Sequence, residues 1–393
     1  MKDRKSFLKG MAAGIAAAVV AGALICAGLF GFGTDAVSLS HIGKLMTIER
    51  LIEEEYLGEQ DKEQMAEGMY MGLVAGLNDP YSRYYTKEQY EAVNSQIQGE
   101  YVGIGVVLEQ DAEGAVTIAQ CYEDSAAAEA GIQAGDVLMA VDGVTVEGKT
   151  LSEISESVKN TEEDHVVLTI SREGEEEPLE ITVQVRSVEI TAVTWEMLEE
   201  QVGYLKISSF THVAPEQFRN ALEELEEQGM KSLIVDLRDN TGGLLDAVCE
   251  ILDEILPKGL IVYTEDKYGN RTERESTGER TLDVPLTVLV NENSASASEI
   301  FAGAVQDHQV GTIVGTVTYG KGVVQTTKVF QDGSALKLTI SHYYTPDGND
   351  INGVGIQPDV EVSLSEEAQE KWAKGEELTL EEDAQLAAAL EIS

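Results

Sequence analysis

A serine-rich turn that joins an apolar run to a helix-forming stretch constrains the fold of this chain more than any other feature. The apolar run, PLTVLV at 285–290, has the length and composition of a buried strand. It leads into NENSASAS at 291–298, and apolar residues then recur at helical spacing: Ile300, Phe301, Ala304 and Val305. This pattern predicts a helix that begins near Ser296. Free backbone N–H groups and the helix dipole at such a turn are the conditions that an acyl-transfer nucleophile requires.

The same serine also has a purely structural interpretation. Ser296 and Glu299 form the S-x-x-E pattern of a capping box, in which each side chain bonds a free N–H group of the first helical turn. Capping serines are far commoner than nucleophilic ones, so this segment alone favours a cap.

A lysine 25 residues further along the chain supports the chemical interpretation. Lys321 stands between Gly320 and Gly322 in an apolar, strand-like context, where loss of water lowers the pKa of an amine and lets its neutral form act as a base. Gln325 falls on the same face if the segment is a strand, because side chains alternate with period two. We expect its amide to orient the amine through hydrogen bonds.

Composition excludes several classes of function. The 393 residues allow two or three folded domains, and 43% of them are hydrophobic. The net charge of −44 repels nucleic acid, and no basic patch reverses it. The three cysteines do not form a disulfide framework or a metal motif: Cys26, Cys121 and Cys249. We therefore expect no metal, no other cofactor and no nucleic-acid partner.

The N-terminal segment predicts a membrane anchor. Residues 11–32 form an uncharged apolar run of 22 residues, which is long enough to cross a bilayer as a helix. Basic residues precede this run, so we expect the N-terminus to stay in the cytoplasm and the rest of the chain to be exported. A cleavable signal peptide is the alternative, although the run is long for one.

Hydrophobic patterns divide the chain into five regions. Residues 1–33 hold the basic tip and the anchor, residues 34–98 carry helical stripes at 41–57 and 65–77, and residues 366–393 form an acidic, helix-prone tail. Residues 99–187 are β-rich, with strands expected at 102–108, 116–118, 137–141, 166–170 and 179–185 and short helices at 125–130 and 151–159. Strands and helices alternate within residues 188–365. The first four are a strand at 203–207, a helix at 215–228, a strand at 232–237 and a helix at 244–256.

Taken together, these motifs resemble the C-terminal processing peptidases, also called tail-specific proteases, which are serine peptidases with a PDZ domain. The motifs occur in this order: DPYSRYY at 79–85, GIGV at 103–106, GIQAGDVLMAVDG at 131–143, DLRDNTGG at 236–243, NENSASASEI at 291–300, TYGKG at 318–322 and GVGIQPDV at 353–360. The resemblance implies a mixed α/β fold. Its parts would be a crotonase-like peptidase core, an inserted β-rich PDZ domain, a helical N-terminal region and an N-terminal transmembrane helix.

The resemblance also implies a role for particular residues. It makes Ser296 the nucleophile, Lys321 the general base and Gln325 the third catalytic residue. The amides of Gly243, or of Gly242, and of Ala297 would form the oxyanion hole. The turn that binds the substrate's C-terminus would comprise Tyr101, Val102, Gly103, Ile104 and Gly105.

The sequence therefore predicts an exported, membrane-anchored serine endopeptidase that recognises protein substrates by apolar C-termini. Family members use the N-terminal helices to dimerise, so a homodimer is a further expectation. Two alternatives stay open at this point. One is a PDZ-type peptide-binding scaffold with an inactive peptidase domain, and the other is an intracellular enzyme that uses another hydrolytic chemistry on the same scaffold.

Overall fold

The structure, a computed structural model, describes residues 39–111, 114–122, 125–159, 161, 164–172, 174–175 and 177–392. The expected membrane anchor at 11–32 lies outside these residues. Among the helices that the structure does describe, none combines the length and the apolar character of a membrane span.

The chain divides into two compact units, residues 1–69 and residues 70–393. Two helices come first, α1 at Leu39–Glu55 and α2 at Lys62–Ala75, close to the two predicted helical stripes. Asp61 caps α2, because its carboxylate accepts the N–H groups of Glu63 and Gln64 at 2.9 and 3.0 Å. The apolar stripe of α1 is exposed in this single chain, with Met46 65% accessible. The expected dimer stays a prediction.

The second unit begins with β1 at Arg83–Tyr85 and α3 at Lys87–Gln98, followed by the β-rich region. The elements of that region are β2 Glu100–Gly103, β3 Val106–Gln110, β4 Val116–Cys121, α4 Ala126–Glu129, β5 Val137–Val141, β6 Val144–Thr145, α5 Leu151–Lys159, β7 His165–Ser171, β8 Leu179–Gln184 and β9 Arg186–Glu189. An antiparallel sheet in the order β3-β4-β5-β7-β8 encloses its own core, with β6 added beside β5. A separate ribbon of β2 and β9 lies where the chain enters and leaves the region.

The prediction of one continuous strand at 102–108 is wrong, because the chain breaks between β2 and β3 at Ile104–Gly105. Gly105 has φ of 81°, and a Cβ atom there would lie 2.3 Å from the Cβ of Ser125. Only glycine fits this turn. The break leaves β3 as an edge strand of its sheet.

The remaining strands and helices build two further sheets. Their elements are β10 Val193–Met197, β11 Val202–Ile207, α6 Ala214–Glu227, β12 Ser232–Asp236, α7 Leu245–Asp253, β13 Gly259–Asp266, β14 Arg271–Ser276, β15 Leu286–Val290, α8 Ala297–Asp307, β16 Thr312–Gly315, β17 Val323–Val329, β18 Ala335–Tyr344, β19 Val360–Glu361, α9 Glu366–Ala373 and α10 Ala384–Ile392. One sheet has the order β10-β11-β12-β15-β16-β19 and is parallel from β11 onward. In the other, β18 pairs with β1, β13 and β17, and β14 pairs with β13.

The parallel sheet is buried on both faces. Leu233 and Val235 point into the larger core, which contains residues of α6, α7 and α8, whereas Ile234 points into a second cluster that contains Ala389 of α10. This alternation follows the period of two along a strand. The acidic C-terminal tail is thus packed on the sheet through α10.

A buried ion-pair cluster also anchors the tail. Arg238, 2% exposed, bonds the carboxylate of Asp236 at 2.6 Å and that of Asp383 at 2.9 Å. The indole of Trp372 lies over the same guanidinium, with 4.5 Å between Arg238 Cζ and the ring centroid. The tail is therefore tied to the DLRDNTGG motif, a link that its composition did not predict.

Candidate active site

The carboxyl ends of neighbouring parallel strands bring the sequence motifs together. β12 ends at Asp236, β15 at Val290 and β16 at Gly315, and the registers Asp236↔Leu289 and Val290↔Gly315 align these ends at one edge. The loops that follow carry DLRDNTGG, NENSASAS and TYGKG. Ligand sites of α/β sheets lie at such edges for this topological reason.

Asn240 connects the turn at residues 241–243 (the glycine turn) to the turn at residues 291–298 (the serine turn). Its side chain accepts the N–H of Gly242 at 2.8 Å and donates to the carbonyl of Ile207 at 2.9 Å. Its backbone carbonyl accepts both the N–H of Ala295 at 3.0 Å and the hydroxyl of Ser298 at 2.8 Å. One fully buried asparagine therefore holds three loops in register.

The three serines of SASAS have different surroundings. The hydroxyls of Ser294 and Ser298 are fully buried and donate to the backbone carbonyls of Leu237 and Asn240, each at 2.8 Å. Ser296 is half-buried and lines a cavity. The N–H of Glu299 bonds the carbonyl oxygen of Ser296 at 2.9 Å.

The backbone at Ser296 is strained and brings free N–H groups close to its side chain. Ser296 has φ of 57° and ψ of −112°, a region that non-glycine residues rarely occupy. The amides of Ala297 and Gly243 have no hydrogen bond to another described residue. A Cβ atom on Gly242 would lie 2.8 Å from Ser296 Cβ and 3.0 Å from the nitrogen of Ala297, so only glycine allows the two turns to approach this closely.

Glu299 connects the serine turn to the loop at residues 316–322 that carries Lys321 (the lysine loop). The sequence pattern identified Glu299 only as a capping residue. Its fully buried carboxylate accepts the N–H of Ser296 at 2.8 Å and the N–H of Lys321 at 2.9 Å through Oε2. Oε1 accepts the hydroxyl of Thr318 and the N–H of Gly320, both at 2.6 Å. Four donors converge on one carboxylate, which fixes the position of Ser296 relative to the backbone of Lys321.

Tyr343 makes a second link between the same two residues. Its buried hydroxyl lies 2.5 Å from the carbonyl oxygen of Lys321 and 3.1 Å from that of Ser296. Burial, followed by the nearby Glu299 carboxylate, raises the pKa of Tyr343 well above its ordinary value, so the hydroxyl keeps its proton and stays a donor.

The prediction that Lys321 lies in a strand is wrong, because it occupies the loop before β17. Its Nζ lies 4.9 Å from the centroid of the Tyr81 ring, and the side chain is half-buried. Burial is the main cause that lowers the pKa of Lys321, and the charge of Lys337 lowers it further, against the opposing carboxylates of Glu299 and Asp79. The amine therefore loses its proton more easily than an exposed lysine does.

The DPYSRYY motif places Tyr81 over this amine. Asp79 accepts the N–H of Tyr81 at 3.1 Å and the hydroxyl of Ser82 at 2.5 Å. Ser82 in turn accepts the N–H of Thr339 on β18 at 3.0 Å. The turn is thus fixed to the strand that also carries Tyr343.

Gln325 is not hydrogen-bonded to Lys321 in the described part of the chain. Its side-chain amide donates to the carbonyl of Val323 at 3.2 Å and lies 3.4 Å from the hydroxyl oxygen of Thr339. The alternation that was expected to align the two side chains fails, since Lys321 precedes the strand and the pairing shifts between Val324 and Gln325. Both residues nevertheless line the same cavity.

That cavity, of about 440 Å³, brings most of the expected catalytic residues together. Its wall includes Gly243, Ser296, Ala297, Lys321 and Gln325. A second cavity, of about 850 Å³, lies between the serine turn and α9, and Lys321 lines this one as well. Within the described residues, no group of three or more His, Cys, Asp or Glu side chains is placed to hold a metal ion.

The expected peptide-binding residues lie apart from the serine turn, in the β-rich region. Val102 is 44% exposed and Ile104 is buried. The N–H groups of Ile104 and Gly105 bond no other described residue, while their carbonyls accept the N–H groups of Ala127 and Tyr122 at 2.9 and 3.1 Å. Gly103 belongs to the β2–β9 ribbon, as do Tyr101 and Val102. Within the described part of the chain, the turn thus leaves two amides without a partner beside the edge strand β3.

Family comparisons agree with this arrangement. The model of peptidase family S41 matches residues 201–362, and the model of the PDZ domain matches residues 117–172. A third model, the activating protease CtpB N-terminal domain, matches residues 33–89. These ranges include the parallel strands with their three loops, the central part of the β-rich region from β4 to β7, and the two N-terminal helices.

Individual relatives are similar over most of the chain. A "Probable CtpA-like serine protease" from Staphylococcus aureus (strain COL) is 35% identical over 337 residues, which are 84% of this chain and 66% of the relative. Its counterpart from Staphylococcus haemolyticus (strain JCSC1435) is 36% identical over 82% of this chain and 65% of the relative. The chain thus spans slightly less than two thirds of the length of these curated relatives.

Among solved structures, the photosystem II D1 C-terminal processing protease is 27% identical, with a TM-score of 0.47 over 81% of this chain and 86% of that protein. With the ordered motifs, the three family models and the identities of 35% and 36% to the staphylococcal proteases, this chain belongs to peptidase family S41, among the C-terminal processing peptidases that carry a PDZ domain.

Proposed function

We propose that this chain is a serine endopeptidase in which Ser296 is the nucleophile and Lys321 the general base. One observation carries the proposal: of the three serines in SASAS, the flanking two are fully buried on backbone carbonyls, whereas Ser296 lines a cavity that Lys321 also lines. The strained backbone of Ser296 supports the same choice, since such strain is kept where a function needs it.

The proposed reaction starts with a neutral Lys321 amine. It takes the hydroxyl proton of Ser296 as Oγ attacks the peptide carbonyl, and the tetrahedral oxyanion accepts hydrogen bonds from the amides of Gly243 and Ala297. Lys321 then gives the proton to the leaving amine as the C–N bond breaks and the acyl-enzyme forms. Water then loses a proton to the Lys321 amine as it attacks the ester, and Lys321 returns that proton to Ser296 Oγ as the C–O bond breaks and the acid product leaves.

Gln325 completes the proposed catalytic set as a positioning residue. Its support is its place in the wall of the same cavity and its contact with Thr339, which the DPYSRYY turn also bonds. Its amide faces Val323 and Thr339, so a contact with the Lys321 amine requires the Gln325 side chain to turn, and we expect such a turn during the reaction.

We further propose that the β-rich region at residues 99–187, hereafter the PDZ-like region, selects substrates by their C-termini. The free amides of Ile104 and Gly105 suit a terminal carboxylate, and the open edge of β3 suits an extended peptide strand. The turn residues Tyr101, Val102 and Gly103 would lead the peptide to that edge. Apolar C-terminal side chains are the expected ligands.

The cellular setting is part of the same proposal. The uncharged run at 11–32, preceded by basic residues, supports a single-pass membrane anchor with the catalytic part outside the cytoplasm. The exposed apolar stripe of α1 supports a homodimer. Digestion of the chain after residue 38 by a protease added to intact cells, before and after permeabilisation, tests the orientation.

The decisive experiment compares three serine variants of the full-length chain on peptides with apolar C-termini. We expect Ser296→Ala to abolish cleavage while the temperature of unfolding stays at the wild-type value. Lys321→Ala should be equally inactive. The matched controls, Ser294→Ala and Ser298→Ala, should each lower stability by about 0.5–1.5 kcal/mol, because each removes one buried hydroxyl hydrogen bond while the carbonyl keeps a backbone N–H donor.

Cleavage that survives in Ser296→Ala or in Lys321→Ala would refute the assignment. A wild-type protein that binds the peptides and never cleaves them would support the scaffold alternative. Mass spectrometry of the products reports both outcomes, and it also locates the cleaved bond.

A further inference from the structure

A second lysine lines the proposed active-site cavity, and no step of the proposed reaction uses it. Lys337 lies on β18, opposite Thr327 of β17 and Arg83 of β1, and its half-buried side chain forms part of the cavity wall with Ser296 and Lys321. Tyr343 of the same strand lines this cavity as well.

Lys337 has no counter-ion within the described part of the chain. It takes part in no ion pair there, and burial alone lowers its pKa, whereas Lys321 also feels the carboxylates of Glu299 and Asp79. This is unexpected in a chain with 71 acidic residues against 27 basic ones. A buried charge is costly unless a partner neutralises it.

The neighbour of Lys337 across the sheet adds to this imbalance. Arg83, its direct cross-strand partner, is exposed and likewise forms no ion pair with a described residue. Like charges that face each other on neighbouring strands destabilise the pairing. Two cations on neighbouring strands, of which Lys337 lines the cavity, are instead suited to an anion that enters from outside.

Strand geometry indicates where this anion would lie relative to the scissile bond. Tyr343, six positions from Lys337 on β18, bonds the carbonyls of Ser296 and Lys321. Six residues of a strand span about 20 Å. An extended substrate would therefore meet Lys337 several residues away from the bond that is cleaved.

We propose that Lys337, with Arg83 beside it, is a specificity-determining residue that binds a carboxylate of the substrate several residues from the scissile bond. The inference rests on the proposed peptidase function. The carboxylate is either an Asp or Glu side chain or the terminal carboxylate of the substrate chain, and both offer the same chemistry to an ammonium group.

A peptide series separates the two sources. Glutamate replaces glutamine at each of the six positions on either side of the cleaved bond, and a parallel pair carries a free or an amidated C-terminus. We expect the full-length wild type to favour one charged peptide over its neutral twin by on the order of 10- to 100-fold in kcat/KM. Lys337→Gln should bring that ratio close to one, and Lys337→Glu should invert it. Arg83→Gln should reduce the ratio by a smaller factor.

Lys328→Gln is the matched control, because Lys328 is exposed and lies on the opposite face of the same sheet, paired with Leu336. It should keep the wild-type ratio. A ratio near one at every position and terminus in the wild type, or a preference that persists in Lys337→Gln, overturns the carboxylate site while leaving the peptidase proposal intact. Absence of cleavage of any peptide would instead refute the peptidase proposal itself.

Discussion

The serine turn and the PDZ-like region are held in place in very different ways. At the serine turn, buried side chains bond several loops at once: Asn240 joins three segments, and Glu299 accepts four donors from two. The PDZ-like region has its own hydrophobic core, distinct from that of the parallel sheet. The β2–β9 ribbon and the exposed Arg186–Glu129 pair lie where it joins the rest of the second unit.

This difference separates two physical requirements. Chemistry requires donors and acceptors fixed within a fraction of an ångström, and buried charge-assisted hydrogen bonds provide that precision. Recognition of a flexible C-terminus tolerates a binding region that is joined to its neighbour by few buried contacts. We therefore expect substitutions at the serine turn to affect turnover strongly and those at the join to affect it weakly.

Glu299→Gln gives the largest expected effect. An amide replaces a carboxylate that accepts four donors, so its NH₂ group faces N–H groups and at least one buried donor loses its acceptor. We expect kcat to fall by on the order of 100-fold, as a displacement of about 1 Å does at other active sites. Stability should fall by about 1–3 kcal/mol for each unsatisfied donor. Single-turnover kinetics and urea unfolding measure the two effects.

The control for this prediction is Glu292→Gln, an exposed position in the same turn. It should leave turnover and stability close to the wild type. A Glu299→Gln protein with wild-type kcat would show that the carboxylate does not position the serine and the lysine, and the contrast between the two regions would lose its main support.

The sequence predicted elements much better than it predicted contacts between loops. The strand, turn and helix around Ser296 and the limits of β5 and α5 follow from local periodicity, which neighbouring residues determine. The bonds from Glu299 to Thr318, Gly320 and Lys321 depend on the register between β15 and β16, and no local pattern encodes that register. For the same reason, Ser296 and Glu299 looked like an ordinary capping box.

The errors in the lysine loop and at the PDZ-like turn have specific causes. Apolar residues after Lys321 suggested one continuous strand, but the strand begins only at Val323 and its pairing shifts after Val324. At Gly105, contact with Ser125 forces a turn that interrupts another apolar run. In both cases tertiary contacts overrode local propensity. The resemblance to known peptidases supplied the proposed catalytic residues, which periodicity alone left undecided.

The dependence of activity on pH tests whether the surroundings of Lys321, the proposed general base, set its pKa. Lys321 must be neutral to accept the serine proton, so activity should rise as pH rises through its pKa, and burial places this midpoint below the ordinary value of 10.5. Lys337→Gln removes a cation that lowers this pKa, so the rise should move to higher pH. Asp79→Asn and Glu299→Gln remove carboxylates that raise it, so the rise should move to lower pH.

The measurement is kcat/KM as a function of pH for one neutral peptide. The comparison between variants decides the prediction. The exposed Lys328→Gln variant should keep the wild-type midpoint. Shifts of the same sign in Lys337→Gln and Asp79→Asn, or no shift in either, would show that an ionisation other than that of Lys321 limits the reaction.

Substitutions of two arginines in the PDZ-like region give the smallest expected effects on turnover. They test whether this region is stabilised by its own contacts. Arg172 bonds the buried carboxylate of Asp136 at 2.7 and 2.8 Å and the carbonyl of Gly131 at 2.8 Å, all within this region. Arg172→Gln leaves that carboxylate without its cation and should destabilise the region by about 1–3 kcal/mol. Arg186→Gln removes an ion pair that is exposed on both sides, and solvent screens such pairs almost completely.

Hydrogen exchange of β5 and β7 should therefore accelerate in Arg172→Gln and stay unchanged in Arg186→Gln, while cleavage of a short peptide by the serine turn persists in both. Faster exchange in Arg186→Gln would mean that the join itself stabilises the PDZ-like region, and the two regions would then be more tightly coupled than their separate cores indicate.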